Sequence, residues 1–399
     1  MNGVNLQART TALMERGMTE RKQIAEARVW VVKLGSSLLT ADGRGLDLEA
    51  LNRWASQIAA LIAAGKRVVV VSSGAVAEGV ARLGWSARPT TEHELQAAAA
   101  VGQMGLVHAW EQGFSVHRLK TAQILLTHED MANRRRYLNA RNTLRALLEL
   151  GVIPIVNEND TVATEEIRLG DNDQIAAALA DLIGAEVLLI LTDRDGLFDA
   201  DPATVANPGL IREAMAGDPT LFRLAGSGGA LGRGGMKTKL LAAETAARAG
   251  TQTLIANGRA ADVITRCANG ESLGTWLQAG EASTSARKRW IAARGRVRGQ
   301  LTLDHGAVKV LSGKGKSLLP VGVTAVSGEF SKGDLVEGVD GAGNVVLRGL
   351  VNYSASECAR LCGKASHQIS TILGYSGEPE LVHRDNMIVL EASAEGAAE

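Results

Sequence analysis

The chain has 399 residues, enough for two or three domains at the usual ~150 residues each. Hydrophobic residues make up 46% of it and aromatics only 3%, which favours a large core of small aliphatic side chains with helices packed closely on a sheet. The 43 basic and 43 acidic side chains cancel, so no global field draws the chain onto nucleic acid or an anionic membrane surface.

No run approaches the ~18 apolar residues of a membrane span. The N-terminal stretch 1–27 carries charges of both signs and no apolar stretch of the kind a secretion signal needs. It reads as a loose or helical extension outside the core. Cys267, Cys358 and Cys362 fit a reducing compartment, hence an expected cytoplasmic location, rather than a disulfide framework. Cys358 and Cys362 are spaced to share a helix face, but no second Cys/His pair completes a zinc set, and packing is the better reading.

Short β-branched runs then alternate with helical spacing. Residues 28–33 (RVWVVK) read as a strand, 48–63 as a helix, and 67–71 (RVVVV) as a strand buried on both faces. A long helix is expected over 92–112, a strand over 122–126, and an Arg- and Leu-rich helix over 135–149. The strand 152–156 (VIPIV) precedes a helix over 173–183, which Asp171 or Asn172 is placed to cap. The strand 187–191 (VLLIL) runs into the turn TDRDG, a helix starts at Met236, and 253–256 is expected as the last strand of the block. This alternation predicts an α/β layer fold with a mostly parallel sheet. Near Gly280 the texture changes. A polar, basic linker leads into a smaller strand-rich domain of the size of a compact barrel.

The densest motif is residues 226–239, GSGGALGRGGMKTK. Glycines let backbone N–H groups approach a ligand, the positive end of the following helix faces the same place, and Lys237 and Lys239 add cations. The spacing suits a polyphosphate but differs from G-x-x-x-x-G-K-[ST], and Gly315-Lys316-Ser317 fails that pattern too because Val310 stands where its first glycine belongs. Ligands of open parallel sheets sit beyond the carboxyl ends of the strands. That rule gathers Lys33-Leu34-Gly35-Ser36, Ser72-Ser73-Gly74, Asn157-Glu158-Asn159-Asp160 and Thr192-Asp193 on one rim. A lysine ending an apolar strand, as Lys33 does, is costly unless it meets an anion. Asp160, Asp171 and Asp173 beside a phosphate site call for Mg²⁺, a substrate ammonium or a lysine as partner. The seven histidines are scattered and no His–acid–Ser arrangement stands out.

In this order, VVKLGSSLLT, VSSGAVAEG, VIPIVNENDTVATEEIRLGDND, LLILTDRDGLFDADP and GRGGMKTKLLAAETAARAG resemble the glutamate 5-kinases of the amino-acid kinase family, and the tail (RGQLTLDHGA, LLPVGVTAVSGEFSKGD) resembles a PUA domain. The resemblance covers about 28–390. It departs in the N-terminal extension and at Arg233, where the family often has a smaller residue. It implies an open three-layer α/β/α sandwich with a mainly parallel sheet, plus a small β-rich PUA barrel. The implied boundaries are 1–27 extension, 28–280 kinase domain, 281–294 linker, 295–392 PUA domain and 393–399 tail.

The reaction implied by that resemblance is transfer of a phosphoryl group from ATP to the side-chain carboxylate of L-glutamate, the first step of proline biosynthesis. The family's phosphate-handling lysines fall on Lys33 and Lys239, and its organising aspartate, which holds both, on Asp173. Glutamate-binding positions fall on Ser73, Asp160 and Asn172. Nucleotide contacts fall on Thr192, Asp193 and the loop Arg233, Gly234, Gly235, Met236, Lys237, Thr238 and Lys239. Mg²⁺, feedback inhibition by proline, a homodimer or homotetramer and handover to glutamyl phosphate reductase are further implications. Such chemistry needs no general base, because a carboxylate with a pKa near ~4.3 is already ionised at neutral pH. It needs fixed cations instead. Acetylglutamate and aspartate kinases are the nearest rivals. The first has no substrate ammonium to occupy Asp160, and the second usually carries ACT-type domains that this tail does not resemble. RNA binding by the tail is a rival from another class, weakened by balanced charge and few aromatics for stacking (Phe330, Tyr353, Tyr375).

Overall fold

The structure is a computed structural model that describes residues 21–40, 45–162, 171–200, 205–225, 235–280, 297–312, 316–375 and 377–390. The chain divides into two compact units, residues 1–283 and 284–399.

The first unit is built on an eight-stranded sheet. Its strands are β1 (Val29–Leu34), β2 (Arg67–Ser72), β3 (Lys120–Leu126), β4 (Val152–Glu158), β5 (Val187–Thr192), β6 (Glu213–Met215), β7 (Gln252–Asn257) and β8 (Thr275–Gln278). They lie in the order β3-β4-β2-β1-β5-β7-β8-β6. Every neighbouring pair is parallel except β7 and β8, so β8 and β6 form an antiparallel end to an otherwise parallel sheet. The expectation that 253–256 closes the block is therefore corrected. Thr275–Gln278 follows it, a strand too short for its period to show in the sequence.

Strand alternation assigns the two faces of β1. Trp30, Val32 and Leu34 join one core with Val68, Val70, Ile153 and Ile155, covered by the helices Leu48–Ala63 and Glu92–Ser115. Val29 and Val31 join the other with Val69, Val71, Leu188 and Ile190, covered by Arg134–Glu149, Asp171–Ile183 and Met236–Arg248. The result is the three-layer α/β/α sandwich. Period two then places Lys33 on the same side as Val29 and Val31, toward the last two of those helices.

The N-terminal stretch departs from expectation. Residues 21–26 are helical, and Ile24 and Ala27 are buried in the first core, so this end of it is not loose. Arg21 lies over the Trp276 ring and donates to the Glu271 carbonyl oxygen. A helix over Ala75–Arg82, absent from the sequence reading, crosses the long Glu92–Ser115 helix at very short range. It starts from Gly74, whose φ of 106° belongs to glycine.

The second unit holds a five-stranded sheet of β9 (Gly299–Leu303), β10 (Val323–Gly328), β11 (Leu335–Val339), β12 (Val345–Val351) and β13 (Val382–Val389) in the order β10-β9-β11-β12-β13. Only β9 and β11 pair in parallel. Cys358 lies in the core of this unit beside Leu361 and Tyr353, and burial pushes its thiol up to about 12, as packing rather than reactivity requires. The expected linker 281–294 lies outside the described residues.

Candidate active site

The rim at the carboxyl ends of β1, β2, β4 and β5 carries the polar residues that interrupt two apolar cores. Lys33 is the last residue of the Val29–Val31–Lys33 alternation and is 5% exposed. Asp173 sits in the first turn of the Asp171–Ile183 helix, 1% exposed, and Lys239 in the first turn of Met236–Arg248, 5% exposed. Lys33 Nζ stands 2.6 Å from Asp173 Oδ1, and Lys239 Nζ stands 3.2 Å from Asp173 Oδ2. One carboxylate thus bridges two ammonium groups, and the trio carries one positive charge in excess. Near-complete burial makes that excess strong, because little water screens it.

The neighbours tune the trio. Burial alone would raise the Asp173 carboxyl, but the charges of Lys33 and Lys239 outweigh it and hold the group below the usual aspartate range. Burial lowers the Lys239 ammonium, Asp173 pulls it back up, and Lys33 pushes it down; the net direction is down. Thr238 Oγ1 lies 2.8 Å from Asp173 Oδ2 and 2.8 Å from the Gly235 carbonyl oxygen, either of which can take its single proton. The side chain of Thr238, read from the sequence as a nucleotide contact, therefore faces the Asp173 carboxylate and its own helix turn.

A second polar cluster lies beside the first. The helix begins at Asp171 rather than 173, so both Asp171 and Asn172, the two expected caps, lie inside it, and the Asn172 side chain reaches across the rim. Its Oδ1 accepts from the Glu158 backbone N–H at 3.3 Å, and its Nδ2 donates to Ser73 Oγ at 2.8 Å and to Asn157 Oδ1 at 3.0 Å. Asn157 continues the Ile153–Ile155 face of β4 into the first core and donates to Gln103 Oε1 at 2.8 Å. Ser73 follows β2 and is half-buried, as is Asp160 just past β4. Trp110, two helix turns beyond Gln103, donates to Ser72 Oγ at 2.9 Å.

Thr192 ends β5 and is buried, while Asp193 is exposed beside it, its Oδ1 3.2 Å from Thr192 Oγ1. Asp193 also acts on Lys239 through its charge. Gly235, Met236 and the exposed Lys237 open the Met236–Arg248 helix. Arg233 and Gly234 lie outside the described residues. The structure thus brings Lys33, Asp173, Thr238 and Lys239 together, and separately Ser73 and Asn172. Sequence reading missed Gln103, which sits in an alanine-rich helix far from any motif. It noted Asn157 only as part of a strand tip, where the Ile153–Ile155–Asn157 alternation could have flagged its direction.

Two buried ammonium groups on strand and helix ends, bridged by a fixed carboxylate, are the kind of fixed positive charge that phosphoryl transfer needs. Consistent with this, the profile of the amino acid kinase family matches residues 28–257, that of the PUA domain matches residues 299–373, and the chain belongs to the amino acid kinase family, whose members are phosphotransferases. It is similar over 93% of its length to proteins called glutamate 5-kinase. It is 60% identical to that of Thioalkalivibrio sulfidiphilus, covering 99% of that protein. The figures are 57% for Pseudomonas aeruginosa PAO1 and 56% for Halorhodospira halophila, each covered in full.

Proposed function

We propose that the first unit phosphorylates the side-chain carboxylate of L-glutamate with ATP, giving L-glutamyl 5-phosphate, the opening step of proline biosynthesis. The observation that carries the reading is the Lys33–Asp173–Lys239 bridge at the strand tips, adjoining the Ser73–Asn172 cluster. The kinship with proteins named glutamate 5-kinase supports the substrate.

In this reading Lys33 and Lys239 stabilise the charge of the transferring phosphoryl group from two sides, and Asp173 fixes their separation without taking a proton. The substrate carboxylate is its own nucleophile. Ser73 and Asn172 hold glutamate, and Asp160 receives its ammonium. Thr192, Asp193 and the segment from Arg233 to Lys239 hold the nucleotide; within that segment the Thr238 hydroxyl serves Asp173 and Gly235, and its backbone N–H donates to the Gly235 carbonyl oxygen. Mg²⁺, bound together with ATP, would offset part of the negative charge of the phosphates. Among the described residues no group of three or more His, Cys, Asp or Glu side chains is gathered for a metal ion. Proline shares glutamate's α-carboxylate and ammonium and competes for the same pocket as a feedback inhibitor. The proposal extends to a cytoplasmic homo-oligomer that passes its labile acyl phosphate to glutamyl phosphate reductase. Among the described residues no helix is long and apolar enough to cross a membrane.

A hydroxamate assay with ATP, Mg²⁺ and a panel of amino acids tests the reading. Signal is expected with glutamate and not with N-acetylglutamate or aspartate; equal signal with N-acetylglutamate would discard it.

A further inference from the structure

We infer that Gln103, on the helix opposite the catalytic trio, is a positioning residue that holds the Asn157 amide with its oxygen toward Asn172 and so keeps the hydrogen-bond order of the acceptor site. This inference rests on the reading of Ser73 and Asn172 as contacts of the phosphoryl acceptor.

The polarity is anchored by one group that cannot be reversed. The Glu158 backbone N–H can only donate, and it donates to Asn172 Oδ1 at 3.3 Å. The Asn172 amide is thereby oriented, with Nδ2 facing Asn157 Oδ1 at 3.0 Å and Ser73 Oγ at 2.8 Å. Since Asn157 receives at its oxygen, its own NH₂ must point the other way, into the first core. There Gln103 Oε1 accepts it at 2.8 Å. Asn157 is 1% exposed and Gln103 is 9% exposed, so water is a poor substitute at either. Donation runs outward from Asn172, through Asn157 to Gln103 Oε1 on one side and directly to Ser73 Oγ on the other. Ser73 Oγ is the terminal acceptor, which leaves its hydroxyl proton to be donated to an anionic group of the substrate.

Gln103 is the end of this hydrogen-bond chain that could have been built otherwise. Its Nε2 is buried and has no hydrogen-bond partner among the described residues. A buried amide donor without an acceptor is costly, so Gln103 is poorly suited to a purely structural role. A residue chosen for packing alone at a core-facing helix position would be apolar. The neighbouring Gly102 lets this stretch of helix lie directly on the Ala75–Arg82 helix, since a Cβ there would stand 1.9 Å from the Ala75 carbonyl oxygen.

Without the Gln103 acceptor, the buried Asn157 NH₂ is driven to turn toward the rim in search of a partner. It then meets the Asn172 NH₂ donor to donor, and the order that presents the Ser73 proton is lost. Steady-state kinetics of the full chain with glutamate and ATP test this. Gln103→Met, similar in length and apolar, is expected to raise the glutamate KM about 10-fold while the ATP KM and the thermal midpoint stay close to the parent's, because removing the orphaned Gln103 NH₂ offsets the loss at Asn157. In a Ser73→Ala background the same substitution is expected to change the glutamate KM by less than about 2-fold, since the terminal acceptor is already gone. Independent, multiplying effects of the two substitutions would overturn the inference, as would parent-like glutamate KM in Gln103→Met, or equal rises in both KM values. A parent enzyme with no glutamate-dependent turnover overturns the functional reading and the inference with it, whereas an active parent and an indifferent Gln103→Met overturn the inference alone.

Discussion

Lys33 and Lys239 meet on opposite oxygens of one carboxylate, Lys33 on Asp173 Oδ1 at 2.6 Å and Lys239 on Oδ2 at 3.2 Å. They come from the first strand of the sheet and from a helix near the other end of the unit, so their separation is fixed by Asp173 rather than by the chain between them. Asp173 is therefore the structural link between the two lysines, and in the proposed reaction it sets their separation.

Replacing the shared carboxylate by its neutral isostere isolates that role. Asp173→Asn leaves two buried ammonium groups without a counter-charge. The loss of one partner from a buried ion pair typically costs about 3–5 kcal/mol, and a drop of that size is expected in urea unfolding. Turnover should fall by at least about 100-fold, because one lysine loses its proton or its place. A variant with parent-like stability and turnover would refute the bridge.

The direction of the Lys239 shift predicts the alkaline behaviour. Its ammonium is lowered from the ordinary 10.5 mainly by burial. In the free enzyme, kcat/KM for ATP should therefore fall with rising pH at a midpoint below 10.5. A bound polyphosphate favours the charged form, so the corresponding limb in kcat should move to higher pH. Coincident limbs would argue that Lys239 does not face the nucleotide. Stability follows the same logic. Asp173 is depressed, so its contribution is present above the ordinary value of 3.8 and lost as pH falls through its folded pKa. For Lys239 the unfolded chain binds more protons between the folded pKa and 10.5, so stability climbs with pH across that interval. Unfolding free energies measured from acid to alkaline pH check both signs.

The crossing of the helices Ala75–Arg82 and Glu92–Ser115 depends on two glycines. A Cβ on Gly102 would stand 2.3 Å from the Gly79 backbone nitrogen, and one on Gly79 would stand 1.7 Å from the Ala98 carbonyl oxygen. Backbone cannot rotate away as a side chain can. Gly102→Ala is therefore expected to destabilise by about 3 kcal/mol or more, at or beyond the usual upper range for overpacking. A midpoint in urea unchanged from the parent would show that the helices can separate freely.

Asp160, half-buried just past β4, is proposed to receive the substrate ammonium. Asp160→Ala should raise the glutamate KM at least about 10-fold, near the worth of one charge-assisted hydrogen bond, with the ATP KM unchanged. Equal rises in both would point to a general structural role instead.

Much of this was legible in the chain. The runs VWVV, VVVV and VLLIL are too continuously apolar for a one-sided sheet, and they form the central parallel strands. The glycine-dense 226–235 segment marked the start of the Met236–Arg248 helix. Other elements left no such trace. β6 and β8 span three and four residues, too few for a period. The Ala75–Arg82 helix contains Gly79, a poor helix former by itself, and exists because that glycine admits a neighbouring backbone. Ile24 and Ala27 were misread as outside the core because the charged residues around them mask a single buried face.

The sequence by itself determined the layers and the rim: alternation places Lys33 on one face of β1, and strand ends collect the polar residues where a parallel sheet leaves its ligand crevice. The resemblance already implied that Asp173 holds Lys33 and Lys239; only the tertiary structure decided the pairings beyond it. The hydrogen bond of Asn157 with Gln103 joins residues whose side chains look ordinary in their own segments. Local propensity responds to neighbours along the chain, whereas a buried charge or amide answers to whatever partner the packing of two layers brings within hydrogen-bonding distance.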